Sequence, residues 1–84
     1  MTKLLDFWAP WCGPCQMMKP VIEEIKKELT AKIEIEEINV DDNQAKASEY
    51  GVMSIPTYVI LKEGKEVGRK MGVTSKEDLL KLLQ

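Results

Sequence analysis

The chain has no histidine and only two cysteines, so it cannot assemble a four-ligand zinc site from nitrogen and sulfur donors of its own. Two cysteines are also too few for the disulfide framework that holds small secreted proteins together. Charge of one sign is lacking as well. Fourteen acidic residues stand against 12 basic ones, for a formal net charge of -2. That balance leaves no basic face for nucleic acid or for an anionic membrane. No apolar run approaches the length of a membrane span. The first residues show no positively charged segment followed by an apolar stretch and a cleavage site. Repeats and low-complexity tracts are missing too. At 84 residues there is room for one domain, 1–84, and the 44% hydrophobic share is ordinary for a domain with a packed core. A reducing cytoplasm is the compartment these features favour, although a processed exported form would have the same composition.

What the chain does contain is concentrated in Trp8-Ala9-Pro10-Trp11-Cys12-Gly13-Pro14-Cys15, which holds both cysteines and both tryptophans. A Cys-x-x-Cys pair can be half of a metal site, a structural disulfide or a redox dithiol. The first needs a second chain to complete it. The second would close a loop of a few residues and so remove little entropy from the unfolded chain. The third fits the surroundings best. Leu4 to Trp8 reads as a strand and Gln16 to Leu29 as a helix. Cys12 then lies at or near a helix N-terminus, where unpaired amides and the helix dipole favour a thiolate.

Asp6 is the polar exception in an apolar strand. Its neighbours Leu4, Leu5, Phe7 and Trp8 point to a central position with both faces covered, and therefore to a buried carboxyl with a raised pKa. Such a group is a functional candidate.

The rest of the chain alternates between strand and helix periodicities. Met18, Val21, Ile22, Ile25 and Leu29 recur at helical spacing, with Pro20 expected to kink that helix. The stretch Lys32 to Val40 alternates as a strand through Ile33 and Ile35, and the change of phase at Glu37-Ile38 suggests a bulge or register change. Asp41-Asp42-Asn43 offers caps for a short helix ending near Gly51. Thr57 to Leu61 is a second strongly apolar strand. Glu66 to Met71 should return antiparallel to it, with Gly68 marking an edge or a bulge. Ser75 with Asp78, or Thr74 with Glu77, caps a last helix that packs through Leu79, Leu80 and Leu83, with Leu82 at the margin. The order is β-α-β-α-β-β-α: an α/β fold with a four-stranded mixed sheet and helices on both faces.

Asp6-Phe7-Trp8-Ala9-Pro10-Trp11-Cys12-Gly13-Pro14-Cys15 resembles the active-site signature of the thioredoxins nearly residue for residue. The resemblance continues through Lys19-Pro20, Asn39-Val40-Asp41, Tyr50-Gly51-Val52, Ile55-Pro56-Thr57 and Met71-Gly72-Val73, and so covers almost the whole chain. The strand and helix that precede the active-site strand in that family are not among these residues. What remains resembles the thioredoxin-like minimal core that glutaredoxins share, with Lys32–Val40 near an exposed edge.

The resemblance implies a protein-disulfide reductase, needing no cofactor, in which Cys12 attacks a substrate disulfide and Cys15 resolves the mixed disulfide. It implies that Asp6 lies beneath the pair and moves protons for Cys15, and that the Ile55–Pro56 bond is cis. It places Trp11, Gly13, Pro14, Ile55, Pro56, Gly72 and Val73 around the substrate, with Trp8 as a support beneath. Disulfide-containing proteins would be the substrates of a monomer, and a flavoprotein thioredoxin reductase its electron source. Alternatives are a glutaredoxin-like or specialised dithiol donor, and a binding module in which redox chemistry is incidental. One feature departs from the family, which often has a lysine where this chain has Glu37. If Glu37 pointed inward it would raise the Asp6 pKa by like-charge repulsion; an outward orientation is expected.

Overall fold

Seven elements follow one another in the computed structural model, which describes residues 1–84: β1 (Thr2–Trp8), α1 (Gly13–Leu29), β2 (Ile33–Asn39), α2 (Gln44–Glu49), β3 (Thr57–Lys62), β4 (Lys65–Met71) and α3 (Lys76–Leu83). They form one mixed sheet in the order β2-β1-β3-β4. The β1–β2 pair is parallel across α1, while β1–β3 and β3–β4 are antiparallel.

The two central strands are the two most apolar ones. Leu4, Leu5, Asp6 and Phe7 are buried in β1, and Thr57 through Leu61 in β3. Their side chains alternate between the faces of the sheet. Leu4, Tyr58 and Ile60 meet Met18, Ile22 and Ile25 of α1 and Leu79 and Leu83 of α3. On the opposite face Leu5, Phe7, Ile38, Val59 and Leu61 cluster, with Ala47 and Tyr50 of the α2 region packed against them. Each fully buried aliphatic or aromatic side chain contributes roughly 1.5–3 kcal/mol by leaving water.

Several expectations are met in detail. The strand β2 is an edge, and its outward Glu34 carries charge where an apolar edge would invite pairing with another chain. Gly68 sits at a break in the β3–β4 register, between the pairs Ile60↔Gly68 and Leu61↔Glu66. A methyl group there would come within 3.0 Å of Leu82 Cδ2, so the glycine also lets α3 approach. Ser75 caps α3, accepting the Asp78 amide N–H at 3.1 Å. Of the last-helix leucines, Leu79 and Leu83 are buried, and Leu80 and Leu82 are partly so.

Three expectations need correction. The helix α1 begins three residues earlier than its periodicity showed, because Gly13, Pro14 and Cys15 form its first turn. The helix runs unbroken through Pro20, as the periodicity on both sides of that residue requires. No register change occurs at Glu37-Ile38: the β1–β2 pairing is continuous from Thr2↔Ile33 to Trp8↔Asn39. The phase change arises because both faces of the sheet are covered at that end, so Ile38 is buried on the α2 side beside Phe7. Finally, Asn43 occupies the cap position of α2 without capping it; its Nδ2 donates to the Asn39 carbonyl at 3.0 Å instead.

Candidate active site

Cys12 and Cys15 are joined by a disulfide at the end of β1, their Cα atoms 5.2 Å apart. The geometry follows from the junction. The strand ends at Trp8, the Cys12 amide N–H donates to the Ala9 carbonyl at 3.2 Å to close a turn, and α1 starts at the next residue. Cys12 is therefore the N-cap itself, with extended backbone (φ -87°, ψ 112°). Its sulfur stands where a capping oxygen usually does and accepts the Cys15 amide N–H at 3.2 Å. Pro14 occupies the first turn, where its missing N–H leaves nothing unsatisfied. A thiolate at this position would be stabilised by an amide N–H and the positive end of the helix dipole.

Trp8, Val40 and Ile55 pack against the pair. The Ile55–Pro56 bond is cis, and the Ile55 carbonyl oxygen lies 3.8 Å from Cys12 Sγ. The Gly72 amide N–H donates to the Pro56 carbonyl at 2.8 Å, with Gly72 in the left-handed region at φ 79°. Only glycine adopts that conformation without strain, which explains its place in Met71-Gly72-Val73. Trp11, next to Cys12 in the chain, is 69% exposed, so a large apolar side chain stands in solvent beside the disulfide; Val73, which follows Gly72, is 57% exposed. Cys12 and Cys15 themselves are only 5% and 6% exposed.

Trp11 is tethered by a residue that the sequence pattern reads only as part of a capping turn: its indole Nε1 donates to Asp41 Oδ2 at 2.8 Å. The Asn39 side chain orders that loop by accepting the Asp41 amide N–H at 2.9 Å. Trp11 and Asp41 are 30 positions apart, and no local pattern joins them.

Behind the disulfide lies a cavity of about 120 Å³ lined by Asp6, Trp8, Cys15, Lys19, Ile22, Glu23, Glu37 and Tyr58. Asp6 is 7% exposed. Burial pushes its carboxyl up to about 7, with repulsion from Glu37 adding to the rise and Lys26 opposing it. The buried phenol of Tyr58 is likewise held neutral, first by burial and then by the neighbouring Asp6. Trp8 packs against the cysteine pair and lines the cavity, its ring 5.8 Å from Lys19 Nζ and its indole N–H buried without a protein partner.

The outward orientation expected for Glu37 is not what the structure has. Glu37 pairs with Asp6 across the parallel β1–β2 ladder and lines the same cavity. The cation at this place comes from α1, where Lys26 Nζ contacts Glu37 Oε1.

Comparison with known proteins agrees with this geometry. The thioredoxin family model matches residues 1–84. The chain is 52% identical over 80 residues to a thioredoxin of Bacillus subtilis, covering 95% of this chain and 77% of that protein. It is 50% identical over 76 residues to one of Haemophilus influenzae, covering 90% and 71%. Among solved structures, a single-site mutant of a thioredoxin from Halobacterium salinarum superposes with a TM-score of 0.90 at 40% identity, over 98% of this chain and 71% of that one. Mitochondrial thioredoxin 3 of Saccharomyces cerevisiae in its oxidised form gives 0.90 at 30% identity, over 98% and 76%. With its paired cysteines at the N-terminus of α1, the chain belongs to the thioredoxin family of protein thiol-disulfide oxidoreductases.

Proposed function

We propose that residues 1–84 act as one domain that reduces disulfides in protein substrates, with Cys12 as attacking thiolate, Cys15 as resolving thiol and Asp6 as the proton partner of Cys15. The observation that carries this reading is the asymmetry of the two sulfurs. Cys12 caps the helix beside exposed Trp11, whereas Cys15 lines the cavity that holds Asp6.

In the reduced protein the Cys12 thiolate attacks one sulfur of the substrate disulfide. A mixed disulfide forms and the first substrate thiolate leaves. Asp6, as carboxylate, accepts the Cys15 proton. The Cys15 thiolate then attacks Cys12 Sγ and expels the second substrate thiolate. Two electrons have passed to the substrate, which takes up two protons, and the protein is left with the Cys12–Cys15 disulfide.

Trp11, Gly13, Pro14, Ile55, Pro56, Gly72 and Val73 form the surface on which the substrate lies. Backbone groups beside Pro56 pair with an extended substrate segment, and the exposed apolar rim holds its side chains. Electrons return from a flavoprotein thioredoxin reductase, and the protein works as a monomer in the cytoplasm. No helix is long and apolar enough to cross a membrane.

Replacing Cys15 with Ser should trap substrate on Cys12, and replacing Cys12 should abolish trapping. Mass spectrometry of the adduct tests the assignment, and a dominant Cys15–substrate species contradicts it. Supplying either thioredoxin reductase with NADPH or glutathione as the reductant identifies the electron donor. Turnover with glutathione alone would replace the reductase in this scheme.

A further inference from the structure

Four elements bring ionisable groups to the cavity behind Cys15. Asp6 comes from β1, Glu37 from β2 and Tyr58 from β3, while α1 supplies Cys15, Lys19 and Glu23, with Lys26 beyond them. Their roles differ. Lys19 lies over the Trp8 ring, and Tyr58 is buried as a neutral phenol. Glu23 shares Lys26 with Glu37, its Oε1 3.4 Å from Lys26 Nζ. Glu37 is the nearest strand neighbour of Asp6, being its Cα partner in a ladder that runs unbroken past both. Parallel partners point to the same side of a sheet, so this register directs both carboxylates toward α1. Lys26 closes over Glu37 from the helix.

The Glu37 and Lys26 side chains are 43% and 34% exposed, so both remain open to solvent. Asp6, one strand further in, does not. A unit charge at the cavity edge therefore acts mainly on Asp6, and the two members of the ion pair act with opposite sign: the carboxylate opposes ionisation of Asp6, and the ammonium favours it.

We propose that the Lys26–Glu37 pair is a positioning device that sets the pH at which Asp6 exchanges its proton, Glu37 holding the proton on and Lys26 drawing it off. This deepens the reading of Asp6 as the proton partner of Cys15, and depends on that reading for its effect on turnover. The charge coupling itself does not depend on it. With the two influences opposed, Asp6 is present in both protonation states near neutrality. It can accept the Cys15 proton when substrate is reduced and return one when the disulfide is opened by the electron donor. Without Glu37 the carboxyl would stay ionised at neutral pH, and the returning step would lack its acid. Without Lys26 it would stay protonated, and the resolving step would lack its base.

A pair that served only as a strut between α1 and β2 would behave differently, since loss of either partner would then break the same contact with the same result. The experiment titrates the Asp6 carboxyl by isotope-edited NMR in the oxidised full chain, comparing the unaltered protein with Glu37→Gln, Lys26→Gln and Lys26→Arg. Glu37→Gln should lower the Asp6 midpoint by about one pH unit, and Lys26→Gln should raise it by about as much. Lys26→Arg, which keeps the charge, should leave it in place. Shifts of the same sign in the Glu37→Gln and Lys26→Gln proteins, or no shift in either, overturn the proposal.

Because the titration uses no substrate, it is independent of the catalytic role of Asp6. That role is tested separately by the pH profile of disulfide reduction in Asp6→Asn. A wild-type profile there removes Asp6 from the mechanism and leaves the titration result standing.

Discussion

Asp6 and Phe7 are neighbours in one strand, and almost everything about their surroundings differs. Phe7 is completely buried among Leu5, Ile38, Val59 and Leu61, with the Tyr50 ring 5.9 Å away at a tilt of 54°. Asp6 is nearly as buried, but it faces a cavity lined by Cys15 and by Glu37, which pairs with Lys26. Around Phe7 the α2 side of the sheet is sealed by an apolar cluster, whose buried members contribute to stability. On the α1 side the seal ends at Leu4 and Tyr58, just where the first turn of α1 delivers the disulfide. A carboxyl placed one position earlier or later in β1 would enter the sealed face, where it would have no function to offset its desolvation. The period of two in a central strand thus separates two tasks by a single residue.

The largest expected effect belongs to the sealed face. Phe7→Ala should destabilise the protein by about 3–5 kcal/mol, because a cavity would open in a cluster that has no means of hydration. Denaturant unfolding should show that loss at every pH, since no titrating group is removed. On the other face Asp6→Asn should slow the resolving step toward the lower end of the roughly 10²–10⁴-fold range of general acid–base catalysis, with Phe7-side packing unaffected. Stopped-flow reduction of a disulfide substrate reads this directly. The smallest effect lies at the rim. Asp41→Asn should weaken the tether on Trp11, costing about 0.5–1.5 kcal/mol of local order, and should raise KM for a protein substrate more than it lowers kcat. An unchanged KM would show that Trp11 holds its place without Asp41.

Much of this division was legible in the sequence, and the reasons are physical. The continuous apolar run of β1 and of Thr57–Leu61 marked the two central strands, and the resemblance to the minimal thioredoxin core placed β2 near an exposed edge. The spacing of Cys12 and Cys15 against a strand–helix junction located the redox pair. Asp6 was conspicuous because a carboxylate among large apolar residues is costly.

Three things were not legible. The side to which Glu37 turns is set by its pairing with Asp6 across the ladder, and the local pattern around Glu37-Ile38 reads as a fault in alternation when it is only a strand covered on both faces. The cation that meets Glu37 comes from α1, 11 positions away, through a contact that exists only after the β-α-β unit has closed. The Trp11–Asp41 hydrogen bond likewise joins two loops that only the folded sheet brings together. In each case the missing information was a long-range pairing, whereas the readings that held rested on local periodicity, on the Ser75 cap or, for the cis Ile55–Pro56 bond and the edge strand, on the family resemblance.

The central claim is that Asp6 is kept at a cost to stability for the sake of Cys15, and its most direct test is the stability of Asp6→Asn relative to wild type as a function of pH. The folded carboxyl is raised to about 7 from an ordinary value of 3.8, so the folded state binds the proton more tightly than the unfolded chain. The contribution of Asp6 to stability is therefore fully present below about pH 4 and is lost as pH rises through 7. At about 1.4 kcal/mol per pH unit, the rise in pKa sets an upper bound of about 4 kcal/mol on that loss. Denaturant unfolding of the oxidised proteins from about pH 3 to about pH 9 should show the Asn variant gaining on wild type as pH increases through that window, and standing more stable than wild type above it. A stability difference that stays constant across the range, or that turns against the Asn variant as pH rises, would contradict the account and make Asp6 a hydrogen-bonded structural residue.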